Sequence, residues 1–189
     1  MSEAMTQLHE EHRNIARILK ALERQLEIFE RGEHPDYDIL SAVADYFLGF
    51  PDSCHHPKED LILRKLRETD ADAAHGVADL EAEHRRIGEL ARNFDAALQN
   101  VLQEAEVPRS AFVEVAKAFV TEQRRHMEME DAHFFPLVER TLSAEDWADI
   151  DAEMSRETDP LFDSATAQQF AALRDDIAAW EREDGVAGG

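Results

Sequence analysis

Apolar residues recur along this chain at helical intervals almost from its start. Leu8, Ile15, Leu19, Leu22 and Leu26 fall three, four or seven apart, the spacing that places side chains on one face of an α-helix. The pattern predicts a first helix from about Glu3 to Glu30, ended by Gly32 and a His34-Pro35-Asp36 turn. A second helical segment is expected from about Tyr37 to Arg67. Within it Pro51 and Pro57 each remove a backbone donor, so a kink or break is expected near Phe50-Pro51. A third helix is expected over about Ala71 to Glu104. A fourth is expected over about Arg109 to Glu139, with Pro108 near its first turn and Pro136 disturbing its last turns.

Strand-like alternation is hard to find, and only seven glycines and six prolines interrupt 189 residues, so the chain reads as all-α. Four long helices joined by short turns favour an up-down-up-down four-helix bundle over residues 1–140. Residues 141–189 read as a C-terminal helical extension packing on that bundle. In it Ser143 opens a short fifth helix through Met154, and a loop contains Asp159-Pro160. A sixth helix covers about Thr166 to Trp180, and Asp184 to Gly189 are expected to fray.

The length suits one domain with a substantial core. A formal net charge of −22 at pH 7 argues against nucleic acid or an anionic membrane as partner, because both would be repelled. No apolar run approaches a membrane span, and nothing between Met1 and Glu11 reads as a signal peptide. A single cysteine, Cys54, rules out an intramolecular disulfide framework. The expected location is the cytoplasm.

The chemistry lies in a doubled pattern. Glu11-His12-Arg13-x-Ile15 recurs as Glu83-His84-Arg85-x-Ile87, and His55-x-x-x-Glu59-Asp60 recurs as His126-x-x-x-Glu130-Asp131, at offsets of 72 and 71 residues. A duplicated helix pair brings equivalent residues together about a pseudo-two-fold axis, so four histidines and two glutamates are expected to converge. Residues four apart share a helix face, so His55 with Glu59 and His126 with Glu130 each aim an imidazole and a carboxylate inward. These donors suit iron, manganese or zinc, and the lack of thiolate partners argues against a structural zinc cluster.

Taken singly, such a histidine is most often exposed or a satisfied core residue; recurrence at matched offsets is what favours metal. His56 can reach the second metal, although its counterpart Met127 cannot play that part as well. Asp60 and Asp131 read as hydrogen-bond acceptors behind the ligands or as solvated. His9 and His133 can lie near the site axis but default to exposed or supporting roles, while His34 and His75 read as loop or surface residues. Cys54 reads as a buried small apolar residue, and Met127, Met129, Phe134 and Phe135 as core.

The paired EHRxI and HxxxED motifs, with the run His55-His56-Pro57-Lys58-Glu59-Asp60, resemble the hemerythrin-like (HHE cation-binding) domains of bacterial type over about residues 5–140. The resemblance implies a centre of two non-haem iron ions inside the bundle, bridged by two carboxylates and a solvent-derived oxo or hydroxo group, with manganese or zinc as possible substitutes. It assigns His12 and His55 to one iron, His84 and His126 to the other, and Glu59 and Glu130 to the bridge. In the oxygen-carrying members the third helix supplies two histidines four apart; here Leu80 precedes His84 at that distance. His56 would restore the count, resembling the extra ligand of iron-sensing members. The His84 and His126 iron would then be saturated and the other would keep an open position; without His56 both irons would be accessible.

The expected function is binding of O2 or a related small oxidant, peroxide or NO, in oxygen, redox or iron sensing or handling. The alternative is a di-iron enzyme or repair factor, acting in peroxide or NO detoxification or iron–sulfur cluster repair. The sequence specifies neither a protein partner nor a redox partner.

Overall fold

The computed structural model describes residues 2–75, 77, 79–103, 108–154, 159–160 and 170–187, the last four by their backbone. Serine, aspartate and proline mark where its helices start. Ser2 Oγ accepts the amide hydrogen of Met5 at 3.1 Å and opens α1 (Glu3–Glu30); Gly32, at φ +82°, turns the chain out of it. Asp36 caps α2 (Tyr37–Phe50) through the amides of Asp38 and Ile39.

The backbone then widens into a π-turn, Pro51–His55, in which the amide of His56 bonds the carbonyl of Pro51, and α3 (His56–Thr69) continues with Pro57 in its first turn. A short α4 (Ala71–His75) precedes α5 (Leu80–Leu102). After Pro108, α6 (Arg109–Met129) runs into a second π-turn, Glu130–Phe134, and on into α7 (Phe135–Thr141), with Pro136 in its first turn. A reciprocal Ser143–Asp146 capping box opens α8 (Ala144–Glu153), and α9 is Ala171–Ala187. Both π-turns end just ahead of a proline, where a widened turn takes up the register change that a missing donor imposes.

α1, α2–α3, α5 and α6–α7 are the four rods of the bundle: α1 and α5 each pack against both α2 and α6, closing a ring. The break near Phe50-Pro51 and the disturbance near Pro136 fall where the sequence put them. The third rod differs, starting at Leu80 rather than Ala71. Two N-cap aspartates explain it: Asp70 accepts from the Ala73 amide and Asp79 from the Ala82 amide, so a stretch whose periodicity runs through is cut into two helices. Its expected end at Glu104, and the expected start of the sixth helix at Thr166, lie outside the described residues. The last helix extends to Ala187 instead of fraying from Asp184; residues 188 and 189 lie outside. Among the described residues no helix is long and apolar enough to cross a membrane.

Apolar packing forms two blocks. Residues Ile15 to Phe29 of α1 join Phe47, Phe94, Phe112 and Phe119 in one, and Ala4, Met5 and Leu8 join Ile62, Leu66, Leu80, Phe134 and Phe135 in the other. On every rod the residues between the blocks are polar and buried: Glu11, His12 and Asn14; His55, His56 and Glu59; His84; His126 and Glu130. The C-terminal helices brace both blocks, α8 through Ile150 and Met154 and α9 through Leu173, Ile177 and Trp180, with Phe170 just before it.

One buried carboxylate ties the segment between α8 and α9 to the bundle. Asp159 accepts from Asn14 Nδ2 and from the Tyr46 hydroxyl, both at 3.1 Å; burial, and then Asp159 itself, push the Tyr46 phenol well above its usual pKa. Asp159→Ala leaves both donors buried without this acceptor, so it is expected to lower stability by about 1–3 kcal/mol, with Asp159→Asn losing less. Urea unfolding of the two variants checks this; equal stability of wild type and Asp159→Ala would remove the tie.

Candidate metal centre

The polar layer is built from all four rods. α1 contributes His12, the first π-turn His55, α3 His56 and Glu59, α5 His84, α6 His126 and the second π-turn Glu130. The two HxxxE pairs sit differently on their rods: His55 closes its widened turn and Glu59 lies beyond it, whereas His126 precedes the second turn and Glu130 opens it. All seven side chains are buried, with His55, Glu59, His126 and Glu130 at 0% exposure.

They converge as two groups, within each of which one donor atom per residue lies within 4.8 Å of the others: His12, His55, Glu59 and Glu130 in one, and His56, Glu59, His84 and His126 in the other. Glu59 belongs to both, and Glu130 also faces histidines of the second. Glu59 Oε1 faces His12 and His55 at 3.6 and 3.3 Å, while its Oε2 faces His84 at 3.3 Å. Glu130 Oε1 lies 3.0 Å from His126 and 3.7 Å from His84, and its Oε2 lies 3.3 Å from His12.

These are ion-pair separations that miss hydrogen-bond geometry. The Nε2 atoms of His12, His55, His56, His84 and His126 and both oxygens of Glu59 and Glu130 have no hydrogen-bond partner. Buried polar atoms without partners are rare and costly, and here nine of them point into one space. Imidazole nitrogens and carboxylate oxygens on that scale fit a pair of divalent cations of the iron, manganese or zinc type.

The opposite edge of most rings is satisfied. His12 Nδ1 bonds Asp131 at 3.0 Å, His55 Nδ1 bonds Glu11 at 2.9 Å, His126 Nδ1 bonds Glu83 at 3.0 Å and His56 Nδ1 bonds Asp52 at 3.1 Å. His84 Nδ1 faces Asp60 at 3.5 Å. A carboxylate taking the Nδ1 proton fixes the tautomer that leaves Nε2 free to ligate and makes that nitrogen more basic. Asp131 thus stands as an acceptor behind His12, where the sequence placed one, while Asp60 faces His84 at ion-pair distance without a hydrogen bond. Glu11, Glu83 and Asp52 were given no such role, although the first two recur in the doubled motif. Behind Glu11 lies Lys58, whose Nζ bonds Glu11 Oε1 and which is 1% exposed.

Other candidates fall outside both groups. His9 packs edge-on against Phe135 and lies 3.8 Å from Asp131. His133, His34 and His75 are exposed. Cys54 is in the apolar core, with Sγ 3.4 Å from Ser53 Oγ. Met127, Phe134 and Phe135 are core, and Phe135 covers the His12 ring at a centroid distance of 5.0 Å. Gln123, fully buried one turn before His126, has neither amide atom partnered. Outside the bundle a groove of about 470 Å³ includes Asp52, His56, Asp60, His84, Gly88 and Arg92 in its walls, with His56 stacked on His84 at 4.0 Å.

Charge in the layer is mutually supported. Burial pushes the His84 imidazolium pKa down, but contacts with Asp60, Glu130 and Glu59 hold it up at about 11. His12 is raised well above its usual value and His126 is raised in the same way, carboxylates outweighing burial. His56 is lowered, burial outweighing Asp52. Burial and the neighbouring Glu59 push Glu130 up, yet His12, His126 and His84 hold it at about 2; Glu59 is well below its usual value, His55 leading the groups that overcome burial.

Comparison with known proteins finds one family. The model of the hemerythrin HHE cation-binding domain matches residues 4–138 and also residues 75–183, the second range taking in the second copy of the motif. No curated protein and no solved structure matches.

Metal binding competes with protons here. A protonated imidazole cannot ligate, and His12, His84 and His126 are all raised, so cation uptake at neutral pH is expected to release protons. Apparent affinity should still be climbing at pH 9, because His84 titrates only near about 11. Calorimetry of Zn2+ binding to chelator-treated protein, in buffers of different ionisation enthalpy, reads the proton count. Uptake without proton release would mean that these rings are already neutral.

Proposed function

Because the chain belongs to the hemerythrin HHE cation-binding family, we propose that its buried layer holds two iron ions and that the protein handles a small oxidant, O2, peroxide or NO, rather than an organic substrate. The observation that carries this reading is the pair of glutamates. Each turns one oxygen to the His12 side and the other to the His84 side, as a bridge between two cations requires. His12 and His55 would hold one ion, His84 and His126 the other, with His56 added to the second.

A bound non-haem iron pair supplies electrons and open positions for a diatomic or peroxide. The chain's residues supply the rest. The apolar blocks on either side of the layer shield it from water above and below. Glu11, Glu83, Asp52 and Asp131 hold four of the imidazoles in orientation. His56 would give the second ion three imidazoles against two for the first, leaving the first more open to a ligand. The groove beside His56 and His84 brings solvent and small molecules to the edge of the layer. Gly88 lines it, and a Cβ there would lie 3.3 Å from the side-chain ends of Arg92 and Asp52.

Protein made in iron-supplemented medium is expected to carry about two irons per chain and to absorb as a coupled ferric pair. His55→Ala and His126→Ala should each lose metal, and the reduced protein should react with O2, peroxide or NO faster than free ferrous ion does. Full metal content in both variants would sink the site assignment. Sustained oxygen evolution from peroxide would make the protein an enzyme instead of a binder.

A further inference from the structure

Apart from His56, whose counterpart is Met127, the two halves of the centre match in the residues that face it but differ one step behind them. In the first half Glu11, 5% exposed, accepts from His55 Nδ1 with Oε2 and from Lys58 Nζ with Oε1. Lys58 is itself 1% exposed, an unusual place for an ammonium unless it is paired. In the second half Glu83 accepts from His126 Nδ1 in the same way, but its other oxygen meets Arg125, whose side chain is 48% exposed and also bonds Glu122. At the motif offset of 71, the position of Lys58 is taken by Met129. One half thus holds its orienting glutamate with a dry, dedicated cation, and the other with a solvated, shared one.

We propose that Lys58 is a positioning residue that adds a second inequality between the two cation positions, beyond that of His56: by fixing Glu11 it holds the His55 ring with Nε2 inward, so that the His12–His55 position depends on it. The His84–His126 position has no comparable dependence on Arg125. The difference comes from solvent. Water can replace Arg125 beside Glu83, which is 18% exposed on its side chain; beside Glu11 the low-dielectric interior offers no such substitute. With Lys58 gone, the Glu11 carboxylate has lost its fixed counter-charge, and the ring it orients loses its set direction. The unequal positions presuppose the two-ion reading.

The test uses Zn2+ and Co2+ alone, titrated into chelator-treated full-length protein against a competing chelator. Wild type should bind at two positions. Lys58→Met, which copies the residue of the other half, should lose about 10–100-fold in affinity at one position and leave the other unchanged, the usual effect of removing a group that orients a ligand. Lys58→Arg should restore most of the loss, and Arg125→Met should change neither position by more than a few-fold. The Co2+ absorption spectrum should change at the weakened position only.

If Lys58→Met does not fold, the double variant Glu11→Gln with Lys58→Met removes both charges together and should show the same one-position loss. Two wild-type affinities in whichever of these variants folds, or equal losses from Lys58→Met and Arg125→Met, overturn the proposal. Wild type binding fewer than two ions overturns the two-ion reading instead, so the two failures are distinguishable.

Discussion

Two carboxylates at zero exposure, Glu59 and Glu130, are the constraint around which this bundle is arranged. An ionised carboxylate taken out of water destabilises the fold heavily unless opposite charge lies beside it. The layer answers with charge that alternates outward. Imidazoles surround the two glutamates, a ring of carboxylates from Glu11, Glu83, Asp52, Asp60 and Asp131 stands behind the imidazoles, and Lys58 and Arg125 stand behind two of those. Each ring stabilises the one inside it. The apolar blocks above and below can then be continuous across four rods because the polar demand is met within one layer.

The backbone serves the same end. Both proline-bearing rods pass through a π-turn at the level of this layer. A straight α-helix with a proline at either place would leave a carbonyl unbonded and bend unpredictably. The widened turn keeps the ladder going and adds one residue, re-aiming the side chains beyond it. In the second rod it sits just ahead of His56 and Glu59, so these donors are set by it. In the fourth it starts at Glu130, and the re-aimed residues are Phe134 and Phe135, which close the layer from the apolar side and, through Phe135, cover His12.

Much of this was legible in the sequence because the motif is doubled. His12, His55, His56, Glu59, His84, His126 and Glu130 all carry the spacing that helix geometry turns into convergence, and the structure brings all seven together. Glu11 and Glu83 recur too. In a chain with 42 acidic residues, however, recurrence of glutamate does not tell a hydrogen-bond acceptor from a solvated charge. Lys58 was harder still: a lysine on a charged helix reads as surface, and only the three-dimensional closeness of α1 and α3 shows it to be buried. The split between α4 and α5 is not visible in apolar periodicity, which continues through it, because the two separate helix starts are set by Asp70 and Asp79 hydrogen-bonding the amides three residues on.

The orienting bonds are of two kinds, and their placement says where the layer is weakest. Glu11 to His55 and Glu83 to His126 lie within one half of the duplicated pattern, between neighbouring rods, and use acceptors that are 7% and 18% exposed on their side chains. The Asp131 bond to His12 and the looser ion pair of Asp60 with His84 cross from one half to the other, and their carboxylates are 49% and 47% exposed. Exposed pairs are weakened by water and salt, and buried ones much less. Within the polar layer each half is therefore firmly organised by itself, while the orienting contacts between halves are solvated and the join is carried by the apolar blocks that run across all four rods. Neither of the two donor groups is completed by one half alone. Both donor groups draw on both halves, so a cation held in either group would tie the halves together, and cation binding and the closed bundle would stabilise each other.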